Sequence, residues 1–290
     1  MPIGVIDVGS NTVRLLIKSR GRSIRTEREM LRLGADVELD GRISEAKLEA
    51  TRAVVARFAE IARDEGVEHL EVLITSPGRQ AANGRELAET LGDAADCPVR
   101  VLSALEEGRL AFLGAIEAAA PPPRRLVAVV DVGGGSAQLV VGTRREGPQW
   151  LRSIDLGSQR LTSRLLTSDP PGADALERAR AEVETYLANV NPPMPRIALA
   201  VGGSARAAKR IVGSRLGPQE LQEVLGILAE LPTDEVGARF DIGDERARTL
   251  AAGVVILAGL QARLDTPLRV VRSGLRDGAL LDLAARRAVA

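Results

Sequence analysis

Two short stretches carry the residue types that phosphate chemistry needs. In GVIDVGSNTVRLLI (residues 4–17), Asp7 ends an apolar run and is followed by Val8, Gly9, Ser10 and Asn11. In VVDVGGGSAQLVVG (residues 129–142), Asp131 ends another and is followed by Val132, Gly133, Gly134, Gly135 and Ser136. Each reads as strand, tight turn, strand. A glycine-rich turn lets an anion reach backbone N–H groups, because no side chain blocks the approach. A carboxylate at the strand end can hold Mg²⁺ directly or through its waters. It can equally do no more than cap a turn, where Asp is common. One such turn alone reads as a turn; two at equivalent points of a repeat read as a pair of phosphate loops.

If such loops bind a phosphate that reacts with water, the reaction needs an in-line water, a group to orient or deprotonate it, and cations on the phosphoryl oxygens. The only histidine, His69, stands before a strand with no motif around it, and the only cysteine is Cys97. No Ser–His or Cys–His pair is therefore available, so carboxylates must carry the site. Ser103 and Glu106 have the spacing of a capping box at the head of a helix. That occupies Glu106 and leaves Glu107 free to point elsewhere. By itself the pattern reads Glu107 as a solvated first-turn acid that complements the helix dipole.

The elements that hold these residues repeat in order. Residues 3–8, 13–18 and 23–31 read as strands, and Ser44 can cap a helix to Glu65 with Leu48, Thr51, Val55, Phe58 and Ala62 at helical spacing. Strand 70–75, a helix from Arg85, strand 99–102 and helix 104–119 follow. Three prolines in AAAPPPRR (residues 118–125) end that helix. The pattern then restarts with strands 126–132, 137–142 and 149–154, a helix over 175–188, strand 197–201, helices after it, one long helix over 244–263, strand 268–271 and a last helix from about Arg276. The expectation is two α/β domains of one topology, residues 1–122 and 123–290, with the last helix packing back on the first.

Composition narrows the partners. The 290 residues are 45% hydrophobic and 27% charged, as in ordinary folded domains. Basic and acidic residues number 39 each, so no global field attracts a polyanion and any anion site must be local. Aromatics are 2%, too few for base-stacking platforms. A single cysteine excludes an intramolecular disulfide and a cysteine zinc site. The longest uncharged apolar run, Thr249–Ala262, has 14 residues and is too short to cross a bilayer. The chain enters a strand at once without a signal-like segment, so a cytoplasmic protein is expected. Neither nucleic acid nor a membrane is an expected partner, and a homodimer is the assembly to test.

These residues resemble the actin/sugar-kinase/Hsp70 superfamily, and more narrowly the exopolyphosphatase/guanosine pentaphosphate phosphatase family. IDVGSNTVRLLI (6–17), TSPGRQAAN (75–83), VLSALEEGRL (101–110), VVDVGGGSAQLVVG, DLGSQRLT (155–162), AVGGSARAAKRI (200–211) and VRSGLRDGALLD (271–282) follow in the family's order. The resemblance implies two ribonuclease-H-like (actin-like ATPase) domains with an interdomain cleft. It implies Glu107 as catalytic base and Asp7 and Asp131 as Mg²⁺ ligands. Ser10, Asn11, Arg79, Gly133, Gly134, Gly135, Ser136, Gly203, Ser204 and Lys209 are implied as phosphate contacts, Lys209 about one turn into the helix after Gly202. Where the family usually carries glutamate, this chain has Gln138, which keeps an acceptor oxygen and loses the charge.

The activity implied is removal of terminal phosphate from inorganic polyphosphate. The alternatives are the 5′-phosphate of guanosine pentaphosphate, or a regulator that binds phosphate or nucleotide and was weakened by Gln138. A sugar or acid kinase is disfavoured because its motifs are absent. Longer members carry further C-terminal helical domains, and their absence here points to shorter substrates.

Overall fold

In the computed structural model, which describes residues 1–289, the two turns occupy the same place in two sheets. β1 (Pro2–Val8) and β2 (Thr12–Ser19) form an antiparallel hairpin that continues into β3 (Arg22–Met30). Then come α1 (Leu33–Asp40), α2 (Glu45–Asp64), β4 (His69–Ile74), α3 (Ser76–Gln80), α4 (Gly84–Ala95), β5 (Val99–Val101) and α5 (Ala104–Ala119). β4 runs parallel to β1 and β5 parallel to β4, so the sheet order is β3-β2-β1-β4-β5.

The chain then repeats the plan. β6 (Val127–Val132), β7 (Ala137–Thr143) and β8 (Gly147–Ile154) form the second meander, followed by α6 (Ser158–Leu165) and α7 (Gly172–Leu187). After these come β9 (Ile197–Val201), α8 (Gly202–Val212), β10 (Arg215–Leu216), α9 (Pro218–Glu230) and α10 (Thr233–Phe240). The chain closes with α11 (Asp244–Arg248), α12 (Leu250–Leu264), β11 (Leu268–Val270) and α13 (Leu275–Val289). The order of this sheet is β10-β11-β9-β6-β7-β8, with β9 parallel to β6 and β11 parallel to β9. One compact unit comprises residues 1–110 with the chain from Arg276 onward; the other is Ala111–Leu275.

Aliphatic side chains build both cores. In the first unit Ile6, Val8, Leu15 and Ile17 of the hairpin pack with Val55 and Phe58 of α2 and Leu87 and Leu91 of α4. In the second, β6 and β7 pack on α12, which is buried along most of its length. Ion pairs hold α13 to the first unit: Lys18–Asp277 at 2.6 Å, Arg109–Asp282 at 2.7 Å and Arg286–Glu71 at 2.8 Å.

The single helix expected over 244–263 is two. Thr249, buried and at φ −100°, ψ 4°, ends α11 with its Oγ1 donating to the Glu245 carbonyl at 3.3 Å. A hydroxyl that bonds back one turn competes with the helix ladder. The charged DERAR turn thereby leaves the apolar LAAGVVIL to enter the core in its own direction. The sequence reading also passed over α1, whose eight residues carry only three buried positions, Leu33, Gly34 and Val37.

α5 opens with the expected reciprocal cap. The Ser103 N–H donates to Glu106 Oε2 at 2.9 Å and the Glu106 N–H donates to Ser103 Oγ at 3.2 Å. Arg100 Nη2 adds a bond to Glu106 Oε1 at 3.0 Å. The bonds from Ser103, then Arg100, hold the Glu106 carboxyl below its ordinary range. A carboxyl lowered in the folded state stabilises the fold above its unfolded range, and that contribution is lost as pH falls. Glu106→Ala is therefore expected to cost about 1 kcal/mol at pH 7. In chemical denaturation the gap to the native chain should narrow below about pH 4. Glu106→Gln, which keeps the capping geometry, should cost less.

Candidate active site

Each turn is closed by one bond of the same kind. The Gly9 N–H donates to the Thr12 carbonyl at 3.1 Å, and the Gly133 N–H donates to the Ser136 carbonyl at 2.9 Å. What orients the loops is the helix that follows each meander. In the first unit the Gly34 N–H donates to Ser10 O at 2.8 Å, and the N–H groups of Leu31 and Arg32 donate to Asn11 O at 3.1 Å. In the second, the Ser158 N–H takes Gly133 O at 2.9 Å, while Gln159 and Arg160 donate to Gly134 O at 2.9 and 3.2 Å. The amides at the entry to α1 (Leu31, Arg32), that of Gly34 in its first turn and the first-turn amides of α6 thus consume the carbonyl side of both loops. Among the described residues no acceptor takes the amides of Ser10, Asn11, Gly134 or Gly135. The loops present donors and hide acceptors, which is the polarity an anion requires.

This approach needs small residues. A Cβ on Gly157 would lie 2.3 Å from the carbonyl group of Gly134, and one on Gly34 would lie 2.8 Å from the Ser10 Cβ. Ser10 is further fixed by a 2.6 Å hydroxyl–hydroxyl bond to Ser76 at the start of α3. Asn11 Oδ1 is buried without a protein partner.

α3 also carries Arg79. Its Nη1 donates to the Leu102 carbonyl at 2.6 Å and its Nη2 donates to Glu107 Oε2 at 2.8 Å. Glu107, only 7% exposed, is therefore held by an arginine fork tied to the chain just ahead of α5. With Glu106 spent on the cap, the neighbouring acids have separate partners. Arg79 was expected on phosphate; the structure brings it to the carboxylate.

Asp7 faces Arg14 directly across the β1–β2 ladder, as Asp131 faces Gln138 across β6–β7. The repeat therefore aligns Arg14 with Gln138. Burial pushes the Asp7 carboxyl up, against the opposing pull of Arg14 and then Arg276. The sequence analysis missed both arginines, although superposing the two hairpins in sequence was enough to find Arg14. Gln138 is 1% exposed and its Nε2 donates to Ser136 Oγ at 3.0 Å and Ser153 Oγ at 3.4 Å, which fixes the hydroxyl that ends loop two. Asp131 Oδ1 lies where a Cβ on Gly202 would stand, 2.7 Å away, and Gly202 has φ +89°. The head of α8 thus closes on the Asp131 carboxylate through a glycine.

The third element departs from expectation. The Arg246 guanidinium lies on Gly203, within 2.4 Å of a Cβ placed there, a cation that the motif did not reveal. Ser204 is fully buried with its hydroxyl against Gly253 of α12, so that hydroxyl faces the core. Lys209 stands in the last turn of α8, about 10 Å of helix beyond Gly202 and not one turn from it. Burial pushes the Cys97 thiol up to about 11, so it is not a nucleophile at neutral pH.

Mg²⁺ takes oxygen ligands and commonly completes its shell with substrate phosphates and water, so one or two carboxylates suffice. No group of three His, Cys, Asp or Glu gathers for a metal among the described residues. The donors around Asp131 are hard oxygens and fit such an ion. Those around Asp7 fit less well, because Arg14 and Arg276 already supply positive charge.

Comparison with known proteins agrees with the repeat. The Ppx/GppA phosphatase family model matches residues 18–287, and the chain belongs to that family. It is 26% identical over 303 residues to exopolyphosphatase 1 of Mycobacterium leprae, covering 97% of this chain and 89% of that protein. It is 29% identical over 321 residues to exopolyphosphatase 2 of Mycobacterium tuberculosis, covering 97% and 98%. The crystal structure of the Aquifex aeolicus family member superposes with a TM-score of 0.84 at 26% identity, covering 99% of this chain and 98% of that one. No helix among the described residues is long and apolar enough to cross a membrane.

The pinning of loop two has a direct test in two glycines. Gly157→Ala puts a methyl into backbone and is expected to destabilise by about 1–3 kcal/mol. Gly226, exposed in α9 with open space around it, should gain about 0.5–1 kcal/mol as Ala. Urea denaturation of both variants should give opposite signs.

Proposed function

We propose that this chain is an exopolyphosphatase, releasing orthophosphate from the end of inorganic polyphosphate. The observation that carries the reading is the pair of pinned loops with outward amides, together with Glu107 held by Arg79. Polyphosphate is favoured over guanosine pentaphosphate by the fate of the aromatic residues. Phe58 and Phe112 are buried, and Trp150, Tyr186 and Phe240 pack against the core of the second unit. None stands in either glycine turn, so neither loop itself brings an aromatic face to a guanine. The named relatives are exopolyphosphatases, which supports the same choice. The cytoplasm as working compartment is part of the proposal.

In this reading the amides of Ser10, Asn11, Gly134 and Gly135 bind phosphate oxygens, with the Gly203 end of α8 and Arg246 as a further anion contact. Glu107 takes a proton from the attacking water as the water oxygen bonds to the terminal phosphorus and the bridging P–O bond breaks. The rest of the chain leaves as a phosphate-ended anion. Arg79 fixes the direction of the Glu107 carboxylate. Phosphatases of this family act with a metal in general. We assign Mg²⁺ to Asp131, beside Ser136 and Gln138, and leave Asp7 to its arginines. When bound, the ion neutralises charge on the phosphoryl oxygens.

Phosphate release from tripolyphosphate, long polyphosphate and guanosine pentaphosphate, measured side by side, tests the substrate. Release should be fastest from a polyphosphate, and faster turnover of the nucleotide would overturn the choice. Glu107→Gln should lower kcat by about 100-fold or more with binding retained. If Glu106→Gln is as damaging, the base is misassigned.

Gln138→Glu tests the metal. Ser136 and Ser153 can turn their hydroxyls to donate to a carboxylate there, so the fold should accept it. A third ligand charge should lower the magnesium concentration that gives half-maximal activity. An unchanged titration would show that position 138 does not act on the ion.

A further inference from the structure

At the opposite end of the second sheet from loop two, three chain segments converge. The Arg145 N–H of the β7–β8 turn donates to the Pro123 carbonyl at 3.0 Å, and the Arg196 N–H, just ahead of β9, donates to the Leu126 carbonyl at 3.0 Å. Arg125 N–H closes the proline segment on Pro122 O at 3.0 Å. These bonds shape an open concavity of about 660 Å³ lined by Pro122, Pro123, Arg124, Arg125, Arg145 and Arg196.

The four arginines are exposed, and none makes an ion pair among the described residues. Arginines such as Arg52, Arg57, Arg85, Arg100 and Arg263 sit on carboxylates, whereas these four converge on one concavity whose lining holds no acid. Like charges repel, so guanidinium groups brought together by these backbone bonds favour an anion between them. Guanidinium forks suit phosphate oxygens, and the proline rings stiffen the rim.

We propose that this arginine concavity is an exosite for the distal part of a long inorganic polyphosphate chain. The proposal rests on polyphosphate being the substrate. Leu126 and Asp131 are separated by about 16 Å of strand β6. Only a chain long enough to bridge that span engages both ends of the sheet, and the second contact then forms at high effective concentration. The site should therefore tune preference for chain length without touching the chemistry. A nucleic-acid backbone offers similar charges. The patch has no aromatic face for bases, so binding there would be to charge alone.

The test is the variant R124Q/R125Q/R145Q/R196Q, whose changes are all on the surface. For polyphosphate of several hundred units KM should rise roughly ten-fold or more, with kcat unchanged and KM for tripolyphosphate unchanged. Equal effects on both substrates, or none on the long one, would overturn the exosite. Direct binding of fluorescently labelled long polyphosphate to native and quadruple-variant protein gives a second readout. It keeps the test alive if no polyphosphate is hydrolysed, an outcome that would sink only the proposed function. Affinity should fall in the variant and weaken steeply with salt. If single-stranded RNA displaces the polymer at equal phosphate concentration, the surface is a general polyanion site and the proposal fails.

Discussion

Everything at the two loops depends on where their carbonyls go. A tight turn exposes both donors and acceptors, and an anion is repelled by the second as strongly as it is drawn by the first. Here amides at the entry and first turn of α1 and in the first turn of α6 take the carbonyls of Ser10, Asn11, Gly133 and Gly134. One set of bonds satisfies two otherwise orphaned groups, the start of a helix and the back of a turn. It also removes the acceptors from the face that must meet phosphate. Gly34 and Gly157 are required because this contact is made at backbone distance.

A second constraint is charge placement in the first unit. Glu107 shares Arg79 with the Leu102 carbonyl, Glu106 shares Arg100 with Glu71, and Glu71 shares Arg286 with Asp282. Glu71 is buried, and an ion removed from water needs such partners to be tolerated. The chain of pairs runs from the last helix to the head of α5. Glu107 keeps its own partner, Arg79, beside this network, which ties the C-terminal helix to its unit.

The cores explain how so few aromatic residues suffice. Val, Leu, Ile and Ala pack the two sheets against helices, and α12 supplies a nearly continuous apolar cylinder. Small residues let elements approach closely, as where Gly253 of α12 receives the Ser204 hydroxyl. That contact accounts for a motif serine that faces inward, away from solvent.

Much of this was legible in the residues. Strand alternation, the prolines at 121–123 and the doubled Asp-Val-Gly turn marked a repeated α/β topology, and the Ser103–Glu106 spacing marked the cap that frees Glu107. Local pattern is enough for such features because their causes lie within one turn or one strand. The break at Thr249 and the short α1 were not legible, since each depends on what it packs against. Nor was the site's polarity. The partners of Gly134 and Ser10 stand about 24 residues further along the chain, and those of Glu107 and Asp7 include Arg79 and Arg276. Residue types named the groups able to bind phosphate. Only the tertiary structure decided which of their atoms are already spent, because a hydrogen bond between distant segments leaves no periodicity in either.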